Sequence, residues 1–227
     1  YMYNYPHKTA YRPIHADLRD HFSKLKTTDN TLYIHLPFCE TKCGYCNLFT
    51  IAGKKAPYYD LYIDALERQA IAYAPHLQGV TFQNLILGGG TPLILNTDQL
   101  ARVFNIVQNC LKIDLASLNT VVETAPRQTT AEKLALLKSF HVNRLSIGVE
   151  SFINSELRSI FRFHSEAESD TAIELILKHQ FDVVNLDFIY GMPTQTPESV
   201  LYSIQKAVAY GAQEIFGRAA DYVLANP

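Results

Sequence analysis

Residues 33–46 determine how the rest of the chain is interpreted, and they read Tyr33-Ile34-His35-Leu36-Pro37-Phe38-Cys39-Glu40-Thr41-Lys42-Cys43-Gly44-Tyr45-Cys46. Three of the four cysteines of the chain fall within this stretch, with the spacing C-x3-C-x2-C. They come directly after a short β-branched and apolar run, so they are expected on a loop at the end of a strand. Thiolates so close together on one loop can converge on a single inorganic centre.

Two kinds of centre suit such a loop. A structural zinc ion takes four nitrogen or sulfur ligands and closes its own coordination. A 4Fe–4S cluster can be held by only three cysteines, which leaves one iron open. Cys110, the fourth cysteine, lies far downstream in a helical pattern, so no second thiolate pair completes a zinc site. We therefore expect three ligands, Cys39, Cys43 and Cys46, with a zinc-binding or redox loop as the alternative.

Composition and charge narrow the class of protein. The chain has 227 residues, of which 48% are hydrophobic and 19% charged, which favours one substantial globular domain with an appendage. The net charge of −2 comes with no basic run, so neither nucleic acid nor an anionic membrane surface is an expected partner. No apolar stretch is long enough to span a bilayer. Clustered free thiols favour a reducing compartment, and hence the cytoplasm.

Strand-like and helical patterns alternate along most of the chain. Short links join them, which predicts an α/β fold with parallel strands and right-handed crossovers, a partial six-stranded (β/α)6 barrel. The barrel is predicted at residues 31–216, after an N-terminal arm at 1–30 with a short helix at 17–25. A tail at 217–227 follows, whose end is either natural or a truncation, and the initial Tyr1 suggests that some N-terminal sequence is missing. The predicted strands are 31–36, 84–87, 118–122, 144–149, 183–190 and 214–216.

Chemically distinctive residues recur where these strands end. The cysteines follow the first strand, Gly88-Gly89-Gly90-Thr91-Pro92 the second, Glu123 the third and Glu150 the fourth. Asp187 lies within the fifth, where a carboxylate among apolar residues needs a partner or a ligand. Ligand sites of parallel α/β barrels lie at the carboxyl ends of the strands. The pattern therefore predicts one site at that end of the sheet.

The cysteine spacing, with Tyr33 and His35 upstream, resembles the radical S-adenosylmethionine (SAM) superfamily, in the branch of the oxygen-independent coproporphyrinogen III oxidase. The Gly-Gly-Gly-Thr-Pro element is typical of the same branch. The resemblance implies a 4Fe–4S cluster on Cys39, Cys43 and Cys46 whose open iron binds the amino and carboxylate groups of SAM. An electron from the cluster then cleaves SAM to methionine and a 5′-deoxyadenosyl radical, which takes a hydrogen atom from the substrate.

The same resemblance implies which residues bind SAM. Gly89, Gly90 and Thr91 would contact its methionine portion, and Tyr45 would pack on adenine. It would also place Tyr33 beside SAM and His35 near the cluster. Alternation along the first strand puts both on one face. Their alternative interpretation is a barrel-lining aromatic and a hydrogen-bonded core histidine.

Further positions of the resemblance carry charge. Glu123, Arg162 and Asp187 match SAM-binding positions, and Glu150 falls in the presumed pocket. A carboxylate can pair with the α-ammonium group, arginine with the carboxylate, and an acid with ribose hydroxyls. Arg162 could equally be a solvated helix residue.

Three departures from the oxidase leave the substrate open. Leu48 stands where the oxidase has a further cysteine, Glu150 stands where it has glutamine, and the oxidase continues into a C-terminal domain that shapes its substrate site. We expect a radical SAM enzyme with a small-molecule or tetrapyrrole substrate and a flavodoxin- or ferredoxin-type electron donor. A haem-binding carrier, like the haem chaperone of this branch, is the second hypothesis, and a methyltransferase using a second SAM is the third.

Overall fold

The computed structural model describes residues 29–53 and 56–220, together with Arg12, Phe22 and Leu25. The predicted arm at 1–30 and its short helix therefore fall almost wholly outside the described residues, as does 221–227 of the predicted tail. The strands are β1 (Asn30–Leu36), β2 (Phe38–Cys39), β3 (Ile51–Ala52), β4 (Phe82–Gly89), β5 (Asn119–Thr124), β6 (Arg144–Glu150), β7 (Val183–Tyr190) and β8 (Glu214–Ala219). The helices are α1 (Ala56–Tyr73), α2 (Thr97–Asn105), α3 (Ala131–Ser139), α4 (Asn154–Ser159), α5 (Glu166–Lys178) and α6 (Pro197–Ala209).

Six strands form one sheet in the order β1-β4-β5-β6-β7-β8, and every neighbouring pair is parallel. Within the described residues β1 and β8 remain the two edges of this sheet, so the barrel is open. The predicted α/β fold, a partial six-stranded parallel barrel, is confirmed. The short strands β2 and β3 pair with each other and enclose the segment 40–50 that carries two of the three clustered cysteines.

The buried core explains why apolar runs in the sequence mark the strands. Parallel strands covered on both faces become nearly continuous apolar runs, and in β7 the adjacent Phe188 and Ile189, which point to opposite faces, are both buried. Helix α2 contributes the fully buried Val103 and Phe104 to the same core. A π-helical turn at Ile106–Cys110 extends α2, and its Cys110 is half-buried against the core.

The N-cap of α3 is one residue later than the sequence pattern suggests. Thr129 and Glu132 have the spacing of a capping box, but it is Thr130 whose side chain accepts the N–H of Lys133 at the start of α3. Thr129 is buried, and its hydroxyl donates to Ala125 O (3.0 Å). The hydroxyl that the sequence assigns to the cap is therefore used inside the loop before the helix.

Strand β8 runs three residues beyond the predicted 214–216. Its last two residues stay in parallel register with β7, Arg218 opposite Ile189 and Ala219 opposite Tyr190. Backbone pairing with β7 thus continues the strand where its apolar run has ended. Among the described residues, no helix has both the length and the apolar character needed to cross a membrane.

Candidate functional site

A cavity of about 260 Å³ lies at the carboxyl end of the sheet. All predicted site residues except Tyr33 and His35 line it, namely Cys39, Cys43, Tyr45, Cys46, Gly89, Gly90, Thr91, Glu123, Glu150, Arg162 and Asp187. All but Arg162, which follows helix α4, come from five strands or the loops that follow them, so the sheet gathers residues that are far apart in sequence. Which of them touch a cofactor remains a prediction.

The cysteine loop is anchored at both ends and in its middle. Ile51 N–H donates to Pro37 O (2.7 Å) and Gly53 N–H to Cys39 O (3.2 Å), which closes the loop at its base. Gly44 N–H donates to Ile160 O (2.9 Å), which ties the loop to the segment after α4. All three cysteines are free and half-buried.

Two of the thiols have polar neighbours. Thr91 Oγ1 lies 3.8 Å from Cys39 Sγ, and Arg162 Nη1 lies 3.7 Å from Cys43 Sγ. Burial raises the pKa of both thiols, and the Thr91 hydroxyl and the Arg162 charge act against that rise. A bound metal would displace the thiol protons, and donors to sulfur would then stabilise the thiolates.

The glycine element is needed for the close approach of β4 to the cysteine strand. A Cβ on Gly90 would lie 2.4 Å from Phe38 O, and one on Gly89, whose φ is +110°, would lie 2.4 Å from the ring of His35. Gly90 N–H donates to Leu36 O (2.8 Å). Only residues without a side chain fit at these two positions.

A buried ion pair forms one wall of the cavity. Arg162 Nη2 lies 3.1 Å from Glu150 Oε1 and donates to Gly148 O (2.5 Å), and Tyr45 Oη donates to Glu150 Oε1 (2.6 Å). Burial would lower the pKa of Arg162, but the negative charge of Glu150 overcomes this and raises it. Burial raises the pKa of Tyr45 well above its usual range, and the charge of Glu150 adds to the rise. Arg162 is thus a buried, paired cation rather than a solvated helix residue.

Arg162 has an unused hydrogen-bond donor, and Glu150 has an unusual backbone conformation. Arg162 Nε is buried and has no hydrogen-bond partner among the described residues. Glu150 ends β6 with a φ of +65°, where the pairing of β6 with β7 shifts register. Such a conformation is uncommon for a residue with a side chain and is retained only where the surroundings enforce it.

The other two carboxylates have neutral partners. Asp187 accepts from Ser146 Oγ (2.7 Å) and Asn185 Nδ2 (2.8 Å). Glu123 accepts from Gly89 N–H (3.2 Å). Burial raises the pKa of both carboxyl groups, and these donors counteract the rise. The partner that the sequence required for Asp187 is found within the protein.

Tyr33 and His35 lie beside the cavity rather than in its lining. Tyr33 is 50% exposed, and its hydroxyl lies 3.0 Å from His35 Nδ1. His35 Nε2 lies 2.9 Å from Phe49 O, at the far end of the cysteine loop. His35 therefore links β1 to that loop, and the predicted contacts of both residues with SAM or the cluster stay predictions.

Sequence reasoning missed several residues that line the cavity, among them Arg218 and Ser146. Arg218 lies on the extension of β8, with its guanidinium carbon 5.8 Å from the centre of the Tyr45 ring. Ser146, in the first half of β6, donates to Asp187 on the neighbouring strand. Both sit on strands of the sheet, so the alternation of inward and outward positions would have found them once the register was known.

The donor set fits a 4Fe–4S cluster. The three thiols line the same cavity. A four-iron cubane takes thiolates spread around a larger body, and the unpartnered Arg162 Nε offers a donor beside it. The residues present therefore fit a 4Fe–4S cluster together with an anionic group such as the carboxylate of SAM.

Comparison with known proteins points the same way. The haem chaperone HemW of Bacillus subtilis is 34% identical over 181 residues, which are 80% of this chain and 48% of that protein. The oxygen-independent coproporphyrinogen III oxidase of Escherichia coli is 33% identical over 180 residues, which are 78% of this chain and 38% of that protein. The chain thus spans less than half the length of these two relatives.

Solved structures include the coproporphyrinogen III oxidase HemN from Escherichia coli, described as a radical SAM enzyme. It matches with a TM-score of 0.80 and 28% identity, over 88% of this chain and 46% of that chain. The sequence profile of the Radical SAM superfamily matches residues 33–207, most of the chain. The cofactors predicted above, a 4Fe–4S cluster and SAM, are those of this superfamily. The chain belongs to the radical SAM superfamily, and within it resembles the branch of the oxygen-independent coproporphyrinogen III oxidase and HemW.

Proposed function

We propose that this chain is a radical SAM enzyme with Cys39, Cys43 and Cys46 as the ligands of its cluster. When bound, the two cofactors supply reductive cleavage of SAM to methionine and a 5′-deoxyadenosyl radical, which abstracts hydrogen from the substrate. One observation carries the proposal: the three thiols share a cavity with the glycine element and with buried groups of both charges.

The protein's own residues would bind and orient SAM. Arg162 lies against Cys43 and keeps Nε unpartnered, so a carboxylate beside the cluster would complete its hydrogen bonds. Glu123 and Asp187 retain acceptor capacity toward an ammonium group and ribose hydroxyls, because each carboxylate has lone pairs beyond those in use. The glycine element lets backbone come close to the same ligand.

The names of the relatives support a substrate class. One relative is named for oxidation of coproporphyrinogen and another for chaperoning haem, and both ligands are tetrapyrroles. We extend this to a tetrapyrrole-like substrate here, with a flavodoxin- or ferredoxin-type reductant. A cytoplasmic location suits the proposal, because the three cysteine thiols must stay reduced to hold a cluster.

Anaerobic reconstitution with iron and sulfide, then dithionite and SAM, tests the enzyme. We expect 5′-deoxyadenosine from the parent and none from a variant in which Cys39, Cys43 and Cys46 are all replaced by alanine. Cys110→Ala is the matched control, because Cys110 is the one described cysteine outside the cavity. It should keep the parent's iron content and product yield. A cluster-loaded parent that forms no 5′-deoxyadenosine would refute the proposal.

A haem-binding carrier is the second candidate. The likeness to HemW favours it, and so does Leu48, which lines the cavity where the oxidase has a further cysteine. Haem titration of the parent against the triple cysteine variant separates the two candidates. Tight haem binding without SAM cleavage supports the carrier, whereas 5′-deoxyadenosine formation supports the enzyme.

A further inference from the structure

We propose that Lys42, Arg158, Phe161 and Phe163, here called the Phe161 face, form the docking surface for the protein that reduces the cluster. The partner is an electron-transfer protein with acidic side chains around its own redox centre. This inference rests on the proposed function, because only a cluster used for reductive chemistry needs a recurrent electron supply.

Position is the first argument. The ring of Phe161 lies on Gly44, the residue after Cys43, and a Cβ on Gly44 would be 2.9 Å from that ring. Phe161 is not part of the cavity lining, where SAM would bind. Electron tunnelling weakens steeply with distance, so a reductant must come close to the cysteine loop. The Phe161 face offers that approach without entering the cavity.

Exposure on a fixed backbone is the second argument. Phe161 and Phe163 are each 52% exposed. The segment that carries them is nevertheless held: Arg162 N–H donates to Leu157 O (2.9 Å), and Arg127 Nη2 donates to Phe163 O (2.5 Å). Rigid, exposed aromatic side chains are typical anchors of protein interfaces.

Backbone conformation adds to this second argument. Phe161 has a φ of +57°, a left-handed conformation that is rare for a bulky residue. Folding alone would be served better by glycine or asparagine at this position. A large aromatic side chain is therefore held at a strained and exposed position, and a binding role would account for it.

Charge is the third argument. Lys42 and Arg158 are exposed, and within the described part of the chain neither has a carboxylate at ion-pair distance. The acids nearby, Glu40 and Glu168, both contact Arg127, at 3.8 and 2.9 Å. Arg158 O accepts from Phe161 N–H, and Lys42 lies two residues before Gly44, on which the Phe161 ring packs. Two available cations on these segments complement an acidic surface, which would speed and orient the encounter.

Stopped-flow reduction of the reconstituted, full chain tests the surface. The cluster absorbance is followed after mixing with reduced, acidic flavodoxin, and separately with dithionite, which needs no docking. Two double variants are compared with the parent: Lys42→Glu with Arg158→Glu, and Phe161→Gly with Phe163→Ala. We expect each to slow reduction by flavodoxin about tenfold or more while the dithionite rate stays within about twofold. The effect of charge reversal should shrink between about 50 and 500 mM salt.

Matched controls lie on two other helices, α5 and α6. Lys178→Glu reverses an exposed charge at the end of α5, and Leu201→Ala removes an exposed apolar side chain from α6. Both should leave the flavodoxin rate at the parent value. Phe161→Gly suits the left-handed backbone, and iron content reports whether the cysteine loop survives the loss of the ring.

Three outcomes overturn the inference. Parent-like flavodoxin rates in both double variants would exclude the surface. An equal loss with dithionite would assign the aromatic pair to holding the loop, and an equal loss in the controls would remove the specificity. These outcomes leave the proposed function standing as long as dithionite and SAM still give 5′-deoxyadenosine. Failure of that reaction in the parent instead removes the proposed function.

Discussion

Two buried glutamates near the end of β6 are held in opposite ways. Glu150 lines the cavity and is 7% exposed, whereas Glu156 begins α4 behind it and is 1% exposed. A buried carboxylate needs donors wherever it lies. Glu150 takes a cation, Arg162, and the hydroxyl of Tyr45.

Glu156 is surrounded by neutral donors instead. Ser151 Oγ donates to it (2.6 Å), Ser199 Oγ donates to its other oxygen, and Gln195 Nε2 lies 3.3 Å away. These donors join the exit of β6, helix α4 and the start of α6. The Glu156 network is complete, while the Glu150 network leaves Arg162 Nε at the cavity wall without a partner in the described part of the chain. The comparison teaches that the Glu156 network holds parts of the chain together, whereas the Glu150 network keeps a donor available for a ligand.

Arg162→Ala should have the largest effect on stability. It leaves the charge of Glu150 buried with only one donor, and breaking a buried ion pair from one side costs about 3–5 kcal/mol. Urea unfolding of the apo-protein at neutral pH measures the loss. The same variant should also lose the donor to Cys43, so its reconstituted iron content should fall.

Glu150→Gln tests the same pair from the other side. The amide oxygen still accepts from Tyr45 and Arg162, but the buried charge of Arg162 loses its counter-charge, so a loss of about 3 kcal/mol is expected. If Glu150→Gln costs less than about 1 kcal/mol, the charge of the pair is not what matters, and the contrast with Glu156 fails.

Local patterns in the sequence contain enough to predict the sheet and most of the cavity. Apolar runs mark the strands because parallel strands are buried on both faces. Each run stops at the site, where Gly89, Glu123 and Glu150 replace apolar residues. Parallel pairing then brings those ends together regardless of the distance in sequence. Most of the residues that line the cavity and carry polar or charged groups were thus predicted as a group, from topology and from resemblance.

Pairings between distant residues were not predictable in this way. Tyr45 and Glu150 are separated by more than a hundred positions, and no local periodicity shows that they meet. Glu156 lies in a short, polar helical turn that is typical of a surface helix, so its burial was invisible. Arg218 was missed because backbone pairing, not hydrophobicity, extends β8. Register and side-chain direction decide these contacts, and both emerge only from the folded sheet.

Glu156→Ala should destabilise the protein by about 2–3 kcal/mol, because it leaves the buried Ser151 hydroxyl and two further donors without their acceptor. Product formed per bound cluster should stay at the parent value, because Glu156 does not line the cavity. Glu174→Ala on α5 is the control, since Glu174 is exposed and its loss should change stability by less than about 0.5 kcal/mol. Unfolding by urea, with 5′-deoxyadenosine yield per iron, checks both. A Glu156 variant as stable as the Glu174 variant would show that the Glu156 network does not stabilise the fold.

His164 provides a pH-dependent test of the comparison, because the charge of Arg162 affects its pKa. Its Nε2 lies 3.1 Å from Val149 O. Burial first, and then the positive charge of Arg162, lowers the pKa of His164 from 6.5 to about 4. Between these values the unfolded chain binds a proton that the folded chain does not. Stability from this group is therefore full above pH 6.5 and is lost as the pH falls toward 4.

His164→Gln keeps a donor for Val149 O and removes the titration. Between pH 7 and pH 5 the parent should lose about 2 kcal/mol more unfolding free energy than this variant, as the shift in pKa requires. Urea unfolding at several pH values measures the gap. In the Arg162→Ala background the gap should narrow, because the cation that helps to lower the pKa of His164 is gone. In the Glu156→Ala background it should not change. A gap of the same size in both backgrounds would mean that burial alone sets the pKa of His164. The charge of Arg162 would then have no effect on His164.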